Sequence, residues 1–234
     1  VIVVRQDIPA RQALCDLVVS VAEENSELQA GGITPEQKKD GSYVTSVDRN
    51  LQETLLSKLS NRWPLYGAIG EEMDHAEQVR ICETSEPGYW VIDPLDGTTN
   101  FTAGFLCFGV SVALVVGGQP VLAVIYDPVR KECFSAEVGN GAYLNNSLIR
   151  SDRCESRLED CIANVDYKRL VGELAVSLVR SPPYRSQRNL GSSVLEWCWL
   201  AAGRVQLYLH GGQKLWDFAA GYLIEPLTKS VFQT

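Results

Sequence analysis

The chain has 234 residues, 45% of them hydrophobic, and carries 21 Lys+Arg against 29 Asp+Glu for a net charge of −8. That length allows one large domain or two packed halves, and the composition is that of a soluble globular chain rather than a disordered one. An acidic balance with no Lys/Arg cluster argues against nucleic acid or an anionic membrane as partner, and the longest apolar run, Val110 to Val116, falls well short of the ~20 residues of a spanning helix.

Residues 9–29 place Leu14, Leu17, Val18, Val21 and Leu28 at helical spacing. Gly31 to Tyr43 has the Gly, Pro and charge content of an exposed loop. A second helix is predicted over Ser46–Arg62, with Leu51, Leu55 and Leu59 on one face and Trp63-Pro64 as its stop. Tyr66–Ile69 and Tyr89–Ile92 read as short strands that run into acidic residues. Phe108 to Leu148 reads as a strand meander with turns at Gly117-Gly118-Gln119-Pro120 and Asp127-Pro128. Beyond residue 160 strands and helices alternate: strand Ile162–Val165, helices Gly172–Val179 and Val194–Ala202, strand Val205–Leu209, and a helix from Asp217. The fold class is α/β, a layered α+β sandwich with an antiparallel first half and an alternating second half. It is read as one domain over 1–234, residues 1–150 forming one half and 151–234 the other. Of two tryptophans on one helix, Trp199 is assigned to the core, and Trp197 to another face. His75 is assigned to an exposed loop. The seven scattered cysteines, with no C-x-x-C, read as reduced thiols and argue against a disulfide framework or structural zinc. No basic, apolar leader opens the sequence, which suits the cytoplasm, and Val1 is compatible with a natural start further upstream.

Four acidic positions stand out, each with a plain structural alternative. Thr45-x-x-Asp48 fits a capping box, and Asp217 in a first helical turn complements the helix dipole. Asp93-Pro94 and Asp96-Gly97 fit turn chemistry, and Glu71-Glu72 fits a solvated loop. Together they suggest more. Asp93 and Asp96 close an apolar strand, and the proline between them fixes the backbone so that both carboxylates and the Leu95 carbonyl can share one centre. Carboxylates about 4 Å apart repel by roughly 4 kcal/mol per pair at an effective dielectric of 20. A hard divalent ion such as Mg²⁺, Mn²⁺ or Ca²⁺ removes that cost and lets an acidic chain bind an anionic phosphate.

The strings Gly70–Glu72 (GEE), Trp90–Phe101 (WVIDPLDGTTNF) and Trp216–Ile224 (WDFAAGYLI) resemble the inositol monophosphatase family, with support from VTSVD at 44–48 and RNLGSSVLEWCWLAAGR at 188–204. The resemblance implies a layered sugar-phosphatase fold, commonly a cytoplasmic homodimer, and a lithium-sensitive, Mg²⁺-dependent phosphomonoesterase acting on inositol monophosphate or a related small phosphorylated alcohol. By position, Glu71, Asp93, the Leu95 carbonyl, Asp96 and Asp217 would hold two or three Mg²⁺. Glu71 and Thr98 would orient and deprotonate a metal-activated water for in-line attack on phosphorus, with Asp48 supporting them from behind. Asp96, Gly97, Thr98, Gly191, Ser192, Ser193, His210 and Asp217 would contact substrate. For Ser192 and its neighbours helix capping is an equal alternative.

Two positions depart from the family pattern. His210 stands seven residues before Asp217, where inositol phosphatases usually carry a glutamate that contacts sugar hydroxyls. This loosens the assignment to inositol, and a strand-end histidine without a ligand is its plain alternative. Glu225-Pro226 directly follows Ile224, where the family continues through a glycine turn, so residues between Ile224 and Glu225 are expected to be deleted or unordered. Other activities on the same scaffold remain open: histidinol-phosphate, fructose-bisphosphate or nucleotide phosphatase. A haloacid-dehalogenase-like mechanism fits less well, because Asp93 and Asp96 do not form D-x-D. A non-catalytic regulatory binding protein is the alternative from another class.

Overall fold

The structure, a computed structural model, describes residues 8–25, 34–38, 41–150 and 157–225. Helix α1 (Arg11–Glu24) buries Leu14, Leu17, Val18 and Val21. The part of the expected helix beyond residue 25, and Cys154, lie outside the described residues. The predicted loop is not without structure. Strand β1 (Glu36–Gln37) pairs antiparallel with β2 (Tyr43–Val44), so a short hairpin leads into the next helix.

Helix α2 (Ser46–Arg62) is entered through the capping box read in the sequence. Thr45 Oγ1 accepts from the Val47 amide, and Asp48 accepts from the Thr45 amide at 2.7 Å. Strand β3 (Gly67–Gly70) is followed by α3 (His75–Thr84), which no apolar periodicity announces: only Gln78 of it is buried. His75 is exposed as expected, but as the first residue of this helix rather than in a loop. Asp74 caps it, accepting from Ala76 and Glu77.

A seven-stranded sheet follows the order β3–β4–β5–β6–β7–β8–β9. Its remaining strands are β4 (Gly88–Asp96), β5 (Gly109–Val116), β6 (Gln119–Asp127), β7 (Glu132–Glu137), β8 (Gly141–Leu144) and β9 (Ser147–Leu148). Only β3 and β4 are parallel; the rest is the antiparallel meander. All eight residues of β5 are buried, because helices cover both faces of the sheet. On one face α1 and α2 meet Trp90, Ile92, Val110, Val112 and Val124. On the other lie α6 (Ser193–Ala201) and α7 (Leu215–Ile224), against Val91, Ala113, Val115, Ile125 and Phe134.

A second sheet, β11–β10–β12, comprises the parallel strands β10 (Ile162–Asp166), β11 (Ser186–Arg188) and β12 (Leu207–His210). Helix α5 (Glu173–Arg180) sends Leu178 into its core beside Ala163, Val165 and Tyr184. Helix α6 links the two sheets: Val194, Leu195 and Cys198 face the first, while Trp197 meets Tyr208 of β12 edge-on, and Leu207 and Leu209 on the other face of β12 pack toward Leu178 of α5, giving the order helix, sheet, helix, sheet, helix. This is the α/β sandwich expected, antiparallel first and alternating after. Trp199 is half-buried, packed against the second core and beneath Arg130 and Arg204. Ile224 and Glu225 are consecutive at the end of α7, the Glu225 amide donating to the Gly221 carbonyl at 3.0 Å. Among the described residues no helix is long and apolar enough to cross a membrane.

Candidate metal centre

The site forms where β4 stops. In a regular strand, residues three apart face opposite sides. Here Asp93 pairs with Ser111 and Asp96 with Gly109, three steps on β4 against two on β5. The extra residue is a β-bulge, and it returns Asp96 to the side that Asp93 faces. Pro94 fits because a bulge frees it from donating to the ladder. Gly97 then takes φ 90°, and a Cβ there would stand 3.0 Å from the Cys107 carbonyl, so glycine alone makes the turn into α4 (Thr98–Thr102).

Carboxylate oxygens of Asp93, Asp96 and Asp217 lie within 4.8 Å of one another. Asp217 arrives from the first turn of α7, where it also accepts from the Lys214 amide at 2.8 Å. The capping and cluster readings of this residue are therefore both fulfilled. Asp93 is buried; one oxygen accepts from the Leu95 amide at 3.2 Å, and Oδ2 has no hydrogen-bond partner among the described residues. Burial, reinforced by Glu71, Asp96, Asp217 and Asp48, pushes its carboxyl well above the ordinary range. Asp96 is raised to about 7 by burial and Asp217, against hydrogen bonds from Ser192, Val194 and Ser193. Asp217 is raised to about 6, chiefly by burial. A buried, unpartnered carboxylate oxygen beside two further carboxylates is costly alone and has the donor set of a hard divalent cation. The residues present fit such an ion.

The other expected residues surround this trio. Thr98 donates to Asp48 Oδ1 at 2.8 Å and lies 3.0 Å from the Leu95 carbonyl oxygen, so Asp48 acts on Thr98 from the start of α2. Ser192 and Ser193 donate to Asp96 at 2.5 and 3.1 Å, joined by the Val194 amide. Gly191, at φ 72°, lies against Asn100. Glu71 follows β3 but sits outside the trio, with Lys38 Nζ 2.7 Å from its carboxylate and 2.6 Å from Glu72. His210, at the end of β12, lies 3.6 Å from Asp166, while its Nδ1 accepts from Gly212 at 3.2 Å. Burial holds that imidazole below its ordinary pKa.

Three supporting residues escaped the sequence reading. Lys38 lies in the segment read as mobile loop. Asn100 donates to the carbonyls of Cys107 and Leu190, both at 2.7 Å, and so ties α4 to the approach of α6. Glu196, buried in α6, accepts from the Leu190 amide at 2.8 Å. Asn100 does lie within the Trp90–Phe101 string, the one signal that marked it.

The layered α/β sandwich is the sugar-phosphatase fold expected from the sequence, with three carboxylates gathered at a strand end and a helix start. The chain belongs to the inositol monophosphatase family, whose sequence model matches residues 3–225. A relative from Xylella fastidiosa named Nus factor SuhB is 36% identical over 192 residues, covering 80% of this chain and 67% of that protein. The Thermotoga maritima IMPase structure superposes with TM-score 0.79 at 28% identity, covering 93% of this chain and 82% of that one. An IMPase/NADP phosphatase structure complexed with Mg²⁺ and phosphate shares the fold at TM-score 0.81 and 24% identity, covering 93% and 80%.

Proposed function

We propose that this protein is a Mg²⁺-dependent phosphomonoesterase that hydrolyses inositol monophosphate or a related small phosphorylated alcohol. The observation that carries this reading is the unpartnered, buried Oδ2 of Asp93 beside Asp96 and Asp217. Asp93, Asp96, Asp217, the Leu95 carbonyl and Glu71 would hold two or three Mg²⁺. Bound Mg²⁺ supplies Lewis-acid stabilisation of charge on the phosphoryl group and acidifies water.

The chain's own groups do the rest. Thr98 is oriented by Asp48 and the Leu95 carbonyl, which directs its hydroxyl toward the water to be activated. Glu71 accepts the proton and is held in place by Lys38. The amides of Gly97 and Thr98 offer donors to phosphate oxygens, and Ser192 and Ser193 keep Asp96 fixed. Gly191 and His210 belong to the side that meets the alcohol, and Asp217 meets the leaving group. The same reading takes residues 1–234 as a single phosphatase domain, cytoplasmic, homodimeric and lithium-sensitive. The IMPases of similar fold support it, one of them complexed with Mg²⁺ and phosphate.

A second reading, a regulatory binding protein that does not hydrolyse phosphate, is favoured by the name Nus factor that the Xylella relative carries. Phosphate release decides between them. The assay compares inositol 1-phosphate, 2′-AMP, β-glycerophosphate, fructose 1,6-bisphosphate, histidinol phosphate and a 3′,5′-bisphosphate nucleotide, with Mg²⁺ and with chelator. Mg²⁺-dependent release that Asp93→Asn abolishes is the expected result. No release from any substrate, by folded protein with metal bound, would replace the enzyme by the binding protein.

A further inference from the structure

Away from the carboxylates, two thiols share a site that the proposed chemistry does not use. Cys15 lies on α1 and Cys133 on β7, and both line a surface pocket of about 410 Å³ together with Ser135 and Asn146. Cys15 is buried and Cys133 half-buried, so the pocket is their route to small solutes. Arg11, one turn before Cys15, directs its guanidinium at the Cys15 sulfur at 3.8 Å. That guanidinium is anchored by Ser135 Oγ at 2.7 Å and lies 4.1 Å from the centre of the Tyr143 ring.

We infer that Cys15 and Cys133 are a peroxide-responsive dithiol pair that closes to an intramolecular disulfide joining α1 to β7. A hydrogen bond from Cys133, helped by Ser135 and Arg11 and opposed by burial, lowers the Cys15 thiol to about 7, while Cys133 is pushed the other way. Cys15 is thus the more acidic thiol and Cys133, beside it in the same pocket, the less acidic one, the division of labour that a resolving pair needs. The thiols of Cys107 and Cys198 contrast with it: burial raises the first to about 12 and the second well above the ordinary value.

The chemistry balances with hydrogen peroxide as the named oxidant. The Cys15 thiolate attacks one peroxide oxygen, the O–O bond breaks, and the departing hydroxide takes a proton to become water, leaving a sulfenic acid. Cys133 then attacks that sulfur, the S–O bond breaks, and a second water leaves as the S–S bond forms. Two thiols lose two electrons and two protons to one peroxide.

The test exposes the full-length chain to hydrogen peroxide at pH 7, quenches with acid, blocks remaining thiols under denaturing conditions and maps the peptides without reductant. The expected product is a Cys15–Cys133 cross-linked peptide about 2 Da lighter than the sum of its reduced halves, restored by dithiothreitol. Cys133→Ser should abolish the cross-link and leave Cys15 trappable by a sulfenic-acid reagent. Arg11→Gln should slow closure roughly tenfold. Cross-linking to another cysteine or to a second chain, or Cys15 left reduced while other cysteines oxidise, would overturn the assignment. The wild-type map gives this answer whether or not the variants fold.

Discussion

Replacing Asp93 by Asn should make the metal-free protein more stable while removing its response to Mg²⁺. The isosteric amide removes one negative charge from a trio whose oxygens lie within 4.8 Å of one another. At that separation and an effective dielectric of 20, each like-charged pair costs about 3.5 kcal/mol. The alternative open to the wild type, keeping a proton at pH 7 on a carboxyl of ordinary pKa 3.8, costs roughly 4 kcal/mol, so either route sets a similar ceiling. Some of this is offset by lost hydrogen-bond geometry, and a gain of about 2–4 kcal/mol is expected. For a chain of this size that is roughly 4–16 °C in melting temperature. The assay is thermal and urea unfolding of wild type and variant, in chelator and in Mg²⁺. In chelator the variant should melt higher; in Mg²⁺ the wild type should rise and the variant should not. A variant less stable than wild type in chelator, or one that gains as much from Mg²⁺, would refute the view that these carboxylates are strained without a cation.

The same cluster sets a pH dependence. Asp96 and Asp217 are raised to about 7 and about 6 from 3.8, so the folded chain without metal binds more protons than the unfolded one. Stability in chelator should therefore fall as pH rises from about 4 to 7, and Mg²⁺ should flatten that slope; a rise over this range by urea unfolding would contradict it. Thr98→Val removes the donor to Asp48 and leaves a buried carboxylate oxygen short of a partner. It should lower kcat at least tenfold with little change in KM, at a stability cost of about 1–2 kcal/mol; wild-type turnover would remove Thr98 from the mechanism. At Gly221 a Cβ would stand 2.3 Å from Trp197 Cγ, so Gly221→Ala should destabilise by about 1–3 kcal/mol as α6 and α7 are forced apart, read as a lower melting temperature.

Much of the fold was legible because its long elements carry clean patterns. Leu51, Leu55 and Leu59 mark α2, and β-branched runs broken by Gly117-Gly118 and Asp127-Pro128 mark the meander. Helix α3 was not legible, since a helix that buries only Gln78 has no apolar stripe to read. Strand β11 is three polar residues that exist by pairing with Ile162, Ala163 and Asn164, a contact no local window contains. The carboxylates of the site could be named from their strings, but not their mutual distances. The bulge that aligns Asp93 with Asp96 comes from register against β5, and the Lys38–Glu71 contact comes from a hairpin read as loop.

The position of α7 has a consequence for how the protein is made. Two carboxylates of the trio end β4, while the third opens a helix synthesised after the whole meander and the second sheet. A growing chain can close its antiparallel ladder early, since neighbouring strands are neighbours in sequence. The three carboxylates meet only when α7 packs onto the first sheet, at the close of domain assembly. Until then the nascent chain presents only a pair of acids, so the full trio exists only once the layers have come together.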